Sequence, residues 1–156
     1  LRYGNTDMQA LEAVAEAVAA HAGADLLVFH VETAADPAEH IKMIRALDCR
    51  AGITLNPDRP VSSVLPYLDR VDLVLLMSVF PGYSGQSFIP ESLDRAAELR
   101  SYIDQNNLDC QLEIDGGVNR DTAPDIIKAG VDIVVMGSAF FGEDDRSGLV
   151  KYIKSL

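Results

Sequence analysis

Residues 110–119 read CQLEIDGGVN, the shape of a buried strand that delivers one carboxylate to its own carboxyl end. Apolar and polar side chains alternate through Leu112, Glu113 and Ile114, and the chain breaks at Asp115 before Gly116 and Gly117. Asp115 therefore stands where a strand stops and a loop begins. In parallel α/β architectures that end of the sheet gathers the βα loops and helix N-termini, and ligands bind there. The two glycines lack a Cβ, so their amides can approach an anion closely or take up positive φ. By itself Asp-Gly-Gly also describes a tight turn. What points it towards function is that the same pattern recurs along the chain.

Outward from that strand, the chain alternates helix and strand. Asn5 or Thr6 is expected to cap a helix through Leu11, Val14, Ala15 and Val18 that stops near Gly23. Residues 26–32, LLVFHVE, form the nearly continuous apolar run of a strand buried on both faces. Asp36-Pro37 starts a second helix with Ile41, Ile44 and Leu47 as its stripe. A strand over 50–55 and a helical period over 60–68 follow. Residues 71–79, VDLVLLMSV, make the most apolar strand, and it runs into the glycine-punctuated loop PGYSGQSFIP. That loop exceeds the roughly 2–6 residues usual for a βα connection, and loops of such length are kept for ligand contact. A helix over 92–105 leads to the Asp115 strand. Asp121 or Thr122 caps a short helix ending at Gly130, a strand over 131–136 opens into Gly137-Ser138-Ala139-Phe140, and a helical piece over 148–156 follows.

Composition narrows the function classes. The 156 residues suit one domain, 1–156, with 48% hydrophobic and 6% aromatic residues, hence an aliphatic core. A net charge of −11 argues against a nucleic-acid or anionic-membrane surface. An acidic protein can still hold phosphate through backbone amides and helix dipoles. Cys49 and Cys110 have neither CxxC spacing nor a nearby His cluster, which reads as two buried thiols in a reducing cytosol. No apolar run of about 18 residues appears, so a cytoplasmic location is the expectation.

Strict βα alternation implies a parallel sheet. Five such units fit an open doubly wound sheet or the later part of an eight-stranded barrel, and periodicity does not separate the two. Three strand ends look alike: Met77-Ser78-Val79-Phe80-Pro81-Gly82, Asp115-Gly116-Gly117 and Gly137-Ser138. The last two follow consecutive strands, as the phosphate sites of (β/α)₈ barrels do. A phosphorylated small molecule held without lysine is the inference.

Together LVLLMSVFPGYSGQSFIP, LEIDGGVN and VVMGSAFFG resemble the three motifs of ribulose-phosphate 3-epimerases, with GITLNPDRPV resembling the strand and turn before them. The resemblance implies a TIM (β/α)₈-type barrel of which strands four to eight are present. It also implies an isomerase that interconverts D-ribulose 5-phosphate and D-xylulose 5-phosphate, using one divalent metal ion (Zn, Mn, Fe or Co) and two aspartates. On that basis Asp115 is expected as metal ligand and as one acid/base group. Gly82, Tyr83, Ser84 and Gly85 are expected in the phosphate-side loop, Gly116 and Gly117 in the next, and Gly137 and Ser138 in the last, with Met77 lining the reacting carbons. The implied partner is a small sugar phosphate, with a homo-oligomer compatible and neither nucleic acid nor membrane expected.

Inversion α to a carbonyl needs one group to remove the proton and a second to return it on the other face, while a metal stabilises the enediolate. The family's opening strands bring a serine, a histidine and aspartate, and a second histidine; none has a counterpart here, since residue 1 falls in what resembles the helix after the third strand. Ser84 and Phe80 depart from the family pattern, and Phe80 puts the sugar specificity in question. Other readings are a non-catalytic phosphate-binding partial barrel, an epimerase of a hexulose 6-phosphate, and an open flavodoxin-like domain. Among the remaining titratable groups, His30 is expected as a structural or substrate-side histidine at a strand end, His21 as a complement to a helix dipole and His40 as a solvated residue. Glu32 and Glu113 are expected in buried ion pairs, and Glu143-Asp144-Asp145 in a solvated loop.

Overall fold

The computed structural model describes residues 16–83 and 85–156. Strands and helices alternate: β1 (Leu26–His30), α1 (Pro37–Arg45), β2 (Arg50–Leu55), two 3-10 turns (Val61–Ser63 and Leu65–Tyr67), β3 (Leu73–Met77), α2 (Ser92–Gln105), β4 (Gln111–Asp115), α3 (Ala123–Lys128), β5 (Ile133–Val135), α4 (Ser138–Phe141) and α5 (Arg146–Ile153). The strands are all parallel and lie in the order β1-β2-β3-β4-β5. That order separates the two architectures that periodicity left open. A doubly wound sheet reverses its progression at a switch point, whereas these strands advance in one direction, as the staves of a barrel do.

The two faces of the sheet differ in the same sense. Phe29, Ala51, Ile53, Leu55, Val74, Leu76, Leu112 and Ile114 point to one side and are buried in a single core with Ile41, Ile44, Val64, Leu99 and Ile126. On the other side lie Val28, which is 40% exposed, the partly exposed Leu75, Glu113, Asp115, Ile133 and Val135, and the buried Thr54, Leu73 and Met77. Among the described residues the helices pack on the first of these faces, and the second is the face that lines the interior when such strands close into a barrel.

At the amino ends of the strands, two aspartates replace ladder partners. Asp72 Oδ2 accepts the Ala51 amide at 2.8 Å and Asp132 Oδ2 accepts the Leu112 amide at 2.8 Å. Arg45 at 2.8 Å and Arg100 at 3.2 Å hold those carboxylates in place. Each pair satisfies an edge amide that would otherwise face the core margin unpaired.

Most predicted elements are present, with instructive departures. The helix expected over 60–68 is two 3-10 turns, because Pro66 has no amide to donate and its ring blocks a continuous α-turn. Strands expected over 71–79 and 131–136 pair only over Leu73–Met77 and Ile133–Val135. The expected cap of the first helix at Asn5 or Thr6, and Leu11, Val14 and Ala15, lie outside the described residues; residues 16–21 are helical. His40 is not solvated. It is 8% exposed, its Nε2 lies 2.6 Å from Glu16 Oε1, and its ring sits 4.4 Å from that of Phe29. Both cysteines are buried free thiols, and burial together with the charge of Asp72 pushes the Cys110 thiol up to about 12.

Candidate functional site

Asp115 is the last residue of β4, and its neighbours across the ladders are Met77 on β3 and Val135 on β5. Partnered residues of a parallel sheet point to the same face, so these three form one layer of the concave face at the carboxyl ends. One layer deeper, Glu113 lies between Leu75 and Ile133. Burial raises the Asp115 carboxyl above its ordinary range; burial and then the charge of Asp115 do the same to Glu113. No ion pair of Glu113 is present among the described residues, so the expected buried pair is not found there. Glu32 instead contacts His30 Nδ1 at 3.3 Å and the side-chain amide of Asn56.

Backbone geometry fixes the rim. Gly116 and Gly117 have φ of 123° and 65°. A Cβ on Gly116 would come within 2.9 Å of Val79 N, and one on Gly117 within 2.6 Å of Phe88 Cα. The loops after β3 and β4 therefore press backbone to backbone, which only glycine permits at these φ values. Ser78, fully buried, ties the same junction from below: its Oγ lies 2.9 Å from Asp115 O and 2.7 Å from Gly116 O. The loop after β3 is stapled by Gln86, whose amide donates to Phe80 O at 2.6 Å and Tyr83 O at 2.9 Å. Neither Ser78 nor Gln86 stood out in the sequence, where a polar residue closing an apolar strand and an amide within a glycine loop were the available signals. Thr122 stands at the N-cap of α3, one of the two expected positions, but its side chain makes no cap bond; Asn119 Oδ1 instead accepts the Asp121 amide at 2.8 Å and the Thr122 amide at 3.1 Å in the turn before it.

These strand ends enclose a cleft of about 1010 Å³. Its walls bring together nine expected site residues: Met77, Gly82, Tyr83, Gly85, Asp115, Gly116, Gly117, Gly137 and Ser138. Ser84 lies outside the described residues. Ser138 opens α4 directly after Gly137, so the first amides of that helix have no partner one turn back. Asp115 and three glycine turns thus share one mouth, which supplies a carboxylate with a raised proton affinity beside amides suited to an anion. Among the described residues no three His, Cys, Asp or Glu side chains are grouped to hold a metal ion. Asp115 offers one carboxylate to such an ion.

Residues 8–141 match the sequence profile of the "Ribulose-phosphate 3 epimerase family". The chain belongs to that family. It is 40% identical over 136 residues to the ribulose-phosphate 3-epimerase of Escherichia coli K12, covering 87% of this chain and 60% of that relative. The Bacillus subtilis 168 enzyme is 40% identical over 136 residues, covering 86% and 63%, and ribulose-phosphate 3-epimerase 2 of Cupriavidus necator is 46% identical over 133 residues, covering 83% and 55%. The chain thus spans roughly three fifths of the length of these family members. In fold, it is similar to 3-hexulose-6-phosphate synthase, with a TM-score of 0.65 at 20% identity over 92% of this chain and 67% of that one. KGPDC from Streptococcus mutans gives a TM-score of 0.65 at 13% identity over 92% and 65%. The family assignment and the one-way strand order agree on a barrel of the TIM type.

Proposed function

We propose that the chain carries the proton-transfer and phosphate-holding half of a sugar-phosphate 3-epimerase, acting between D-ribulose 5-phosphate and D-xylulose 5-phosphate. The observation that supports this reading is that Asp115 and the glycine turns at 116–117 and 137 line a single cleft. Membership of the family supplies the substrate class.

The chemistry follows from the position of each group. A phosphate at the rim is held by the amides of Gly117, Gly137 and Ser138 and by the loop bearing Gly82 and Gly85, which suits a chain of net charge −11 that brings no lysine cluster to the cleft. That anchor sets the C3 hydrogen against Asp115. The carboxylate removes the proton and leaves an enediolate; Met77 beside it is a buried apolar surface that keeps water from one side of the plane. The raised proton affinity of Asp115 brings it nearer to the range in which a carboxyl works both as base and as acid. Return of the proton on the opposite face needs a second acid across from Asp115. A divalent metal expected from the family would stabilise charge on the enediolate oxygens. One carboxylate does not make a metal shell; phosphate anchoring and removal of the C3 proton are the two steps that fall to this chain's residues.

The test is incubation of the protein with Mn²⁺ or Zn²⁺ and ribulose 5-phosphate, reading xylulose 5-phosphate. Formation that falls by about 10²–10⁴-fold in Asp115→Asn supports the reading. Formation unchanged in that variant contradicts it, and binding of the sugar phosphate with no interconversion reduces the function to phosphate binding.

A further inference from the structure

The short helix α4, which opens at the anion-facing turn Gly137-Ser138, has no buried residue. Phe141 at its end is 72% exposed. A helix of one turn has little stability of its own, so neither burial nor helix formation fixes where α4 lies. Polar ties at its far end hold it instead. Arg146 Nη2 donates to Phe141 O at 3.0 Å, and Arg120 Nε donates to Glu143 Oε2 at 3.1 Å, two residues past the end of the helix.

The two ties differ in origin. Arg146 belongs to α5, the next element along the chain, whereas Arg120 stands on the loop after β4, three residues beyond Gly117. That loop is well fixed: Gly117 is pressed against Phe88, and Asn119 Oδ1 accepts two amides of the turn. Through Arg120, the loop bearing one glycine turn of the mouth holds the element that carries another. The guanidinium also lies 5.3 Å from the centre of the Tyr152 ring, a cation–π distance that limits its freedom. Arg120 does not line the cleft with Asp115. Its neighbours Asn119 and Asp121 do, while Arg120 lines an adjoining cavity of about 180 Å³ with Glu143 and Ala139. Glu143 was expected in a solvated loop, and its contact with Arg120 gives it a partner there.

We propose that Arg120 is a positioning residue: through Glu143 it holds α4 at a set distance from the loop after β4, so that the Gly117 and Gly137 turns close on one phosphate together. This rests on the phosphate-holding reading given above and extends it. The side chains of the pair are 45% exposed for Arg120 and 27% for Glu143. Ion pairs so exposed contribute little to global stability. Loss of this one is therefore felt in the spacing of the two turns and not in folding.

The experiment titrates inorganic phosphate into the protein, Arg120→Ala, Glu143→Ala and the double variant, and records the melting temperature of each. The expected result is that each single variant loses about 3–10-fold in phosphate affinity, that the double variant loses no more than the weaker-binding single, and that melting temperatures stay within about 3 °C. Glu143→Ala separates positioning from plain charge. Removing a carboxylate near an anion site tightens phosphate binding if charge alone matters, and weakens it if Arg120 works through Glu143. Tighter or unchanged phosphate binding in Glu143→Ala overturns the proposal, as do losses that add in the double variant. A melting temperature that falls well beyond that range together with the affinity also overturns it, in favour of a structural role. If the unaltered protein binds no phosphate, the phosphate-holding reading fails first, and the positioning role with it.

Discussion

Gly117 and Phe88 meet where two loops from adjacent strands cross, and a Cβ on Gly117 would stand 2.6 Å from Phe88 Cα at a φ of 65°. The anion-facing turn after β4 therefore depends on the loop after β3 for its shape. Gly117→Ala is expected to destabilise the protein by about 1–3 kcal/mol through strain and displacement, read as a lower urea midpoint. It should weaken phosphate binding as well, since the amides of both loops move. An unchanged midpoint would mean that the loops are free to separate.

Gln86 offers a cleaner separation of site from scaffold. Its two hydrogen bonds to Phe80 O and Tyr83 O lie on the rim and are not in the core. Gln86→Ala should leave global stability within about 0.5 kcal/mol while lowering affinity for inorganic phosphate about 3–10-fold. A drop in stability with affinity intact would contradict the stapling role.

Ser78 belongs to the scaffold side. With its hydroxyl removed in Ser78→Ala, Gly116 O loses a buried partner while Asp115 O keeps the Ser78 amide at 2.8 Å. The expected effect is about 1–3 kcal/mol of lost stability, measured by chemical denaturation. Ser78→Cys, which keeps a weak donor, should recover part of it.

Much of this was legible in the letters. The strand over 50–55, closed by Asn56-Pro57, and the helix over 92–105, whose Ala96, Leu99 and Ile103 recur at helical spacing between Pro90 and Asn106, are found at those residues because the apolar period and its flanking breakers leave little choice. The glycine turns after three strands located Asp115 and its companions, since small residues at the carboxyl end of a parallel strand have few other uses. What escaped were features that need a partner far along the chain. His40 reads as a polar helix residue until Glu16, 24 residues earlier, is brought against it. Glu32 and Asn56 meet only once the β1–β2 register is known, and Pro66 outweighed a helical apolar period that looked sound by itself.

The raised carboxyls make a prediction about pH. A carboxyl whose proton affinity is raised by folding favours the native state while protonated, below its ordinary value of 3.8 for Asp115 or 4.5 for Glu113. That contribution is lost as pH rises through the raised native value. At neutral pH both charged groups therefore weigh against folding. Asp115→Asn and Glu113→Gln should each melt at a higher temperature than the unaltered protein at neutral pH, with the gap closing as pH falls below those ordinary values. A gap that widens in acid would show that a favourable contact, not burial, governs these groups.

In the proposed reaction Asp115 takes the proton from C3 of a sugar phosphate anchored by Gly117 and Gly137. Proton NMR of ribulose 5-phosphate in D₂O with the protein and Zn²⁺ reads that step directly. Loss of the C3 proton signal to deuterium, absent in Asp115→Asn and suppressed by inorganic phosphate, is the result predicted. Exchange that persists in Asp115→Asn, or a C3 proton that survives while the sugar phosphate is demonstrably bound, would contradict it.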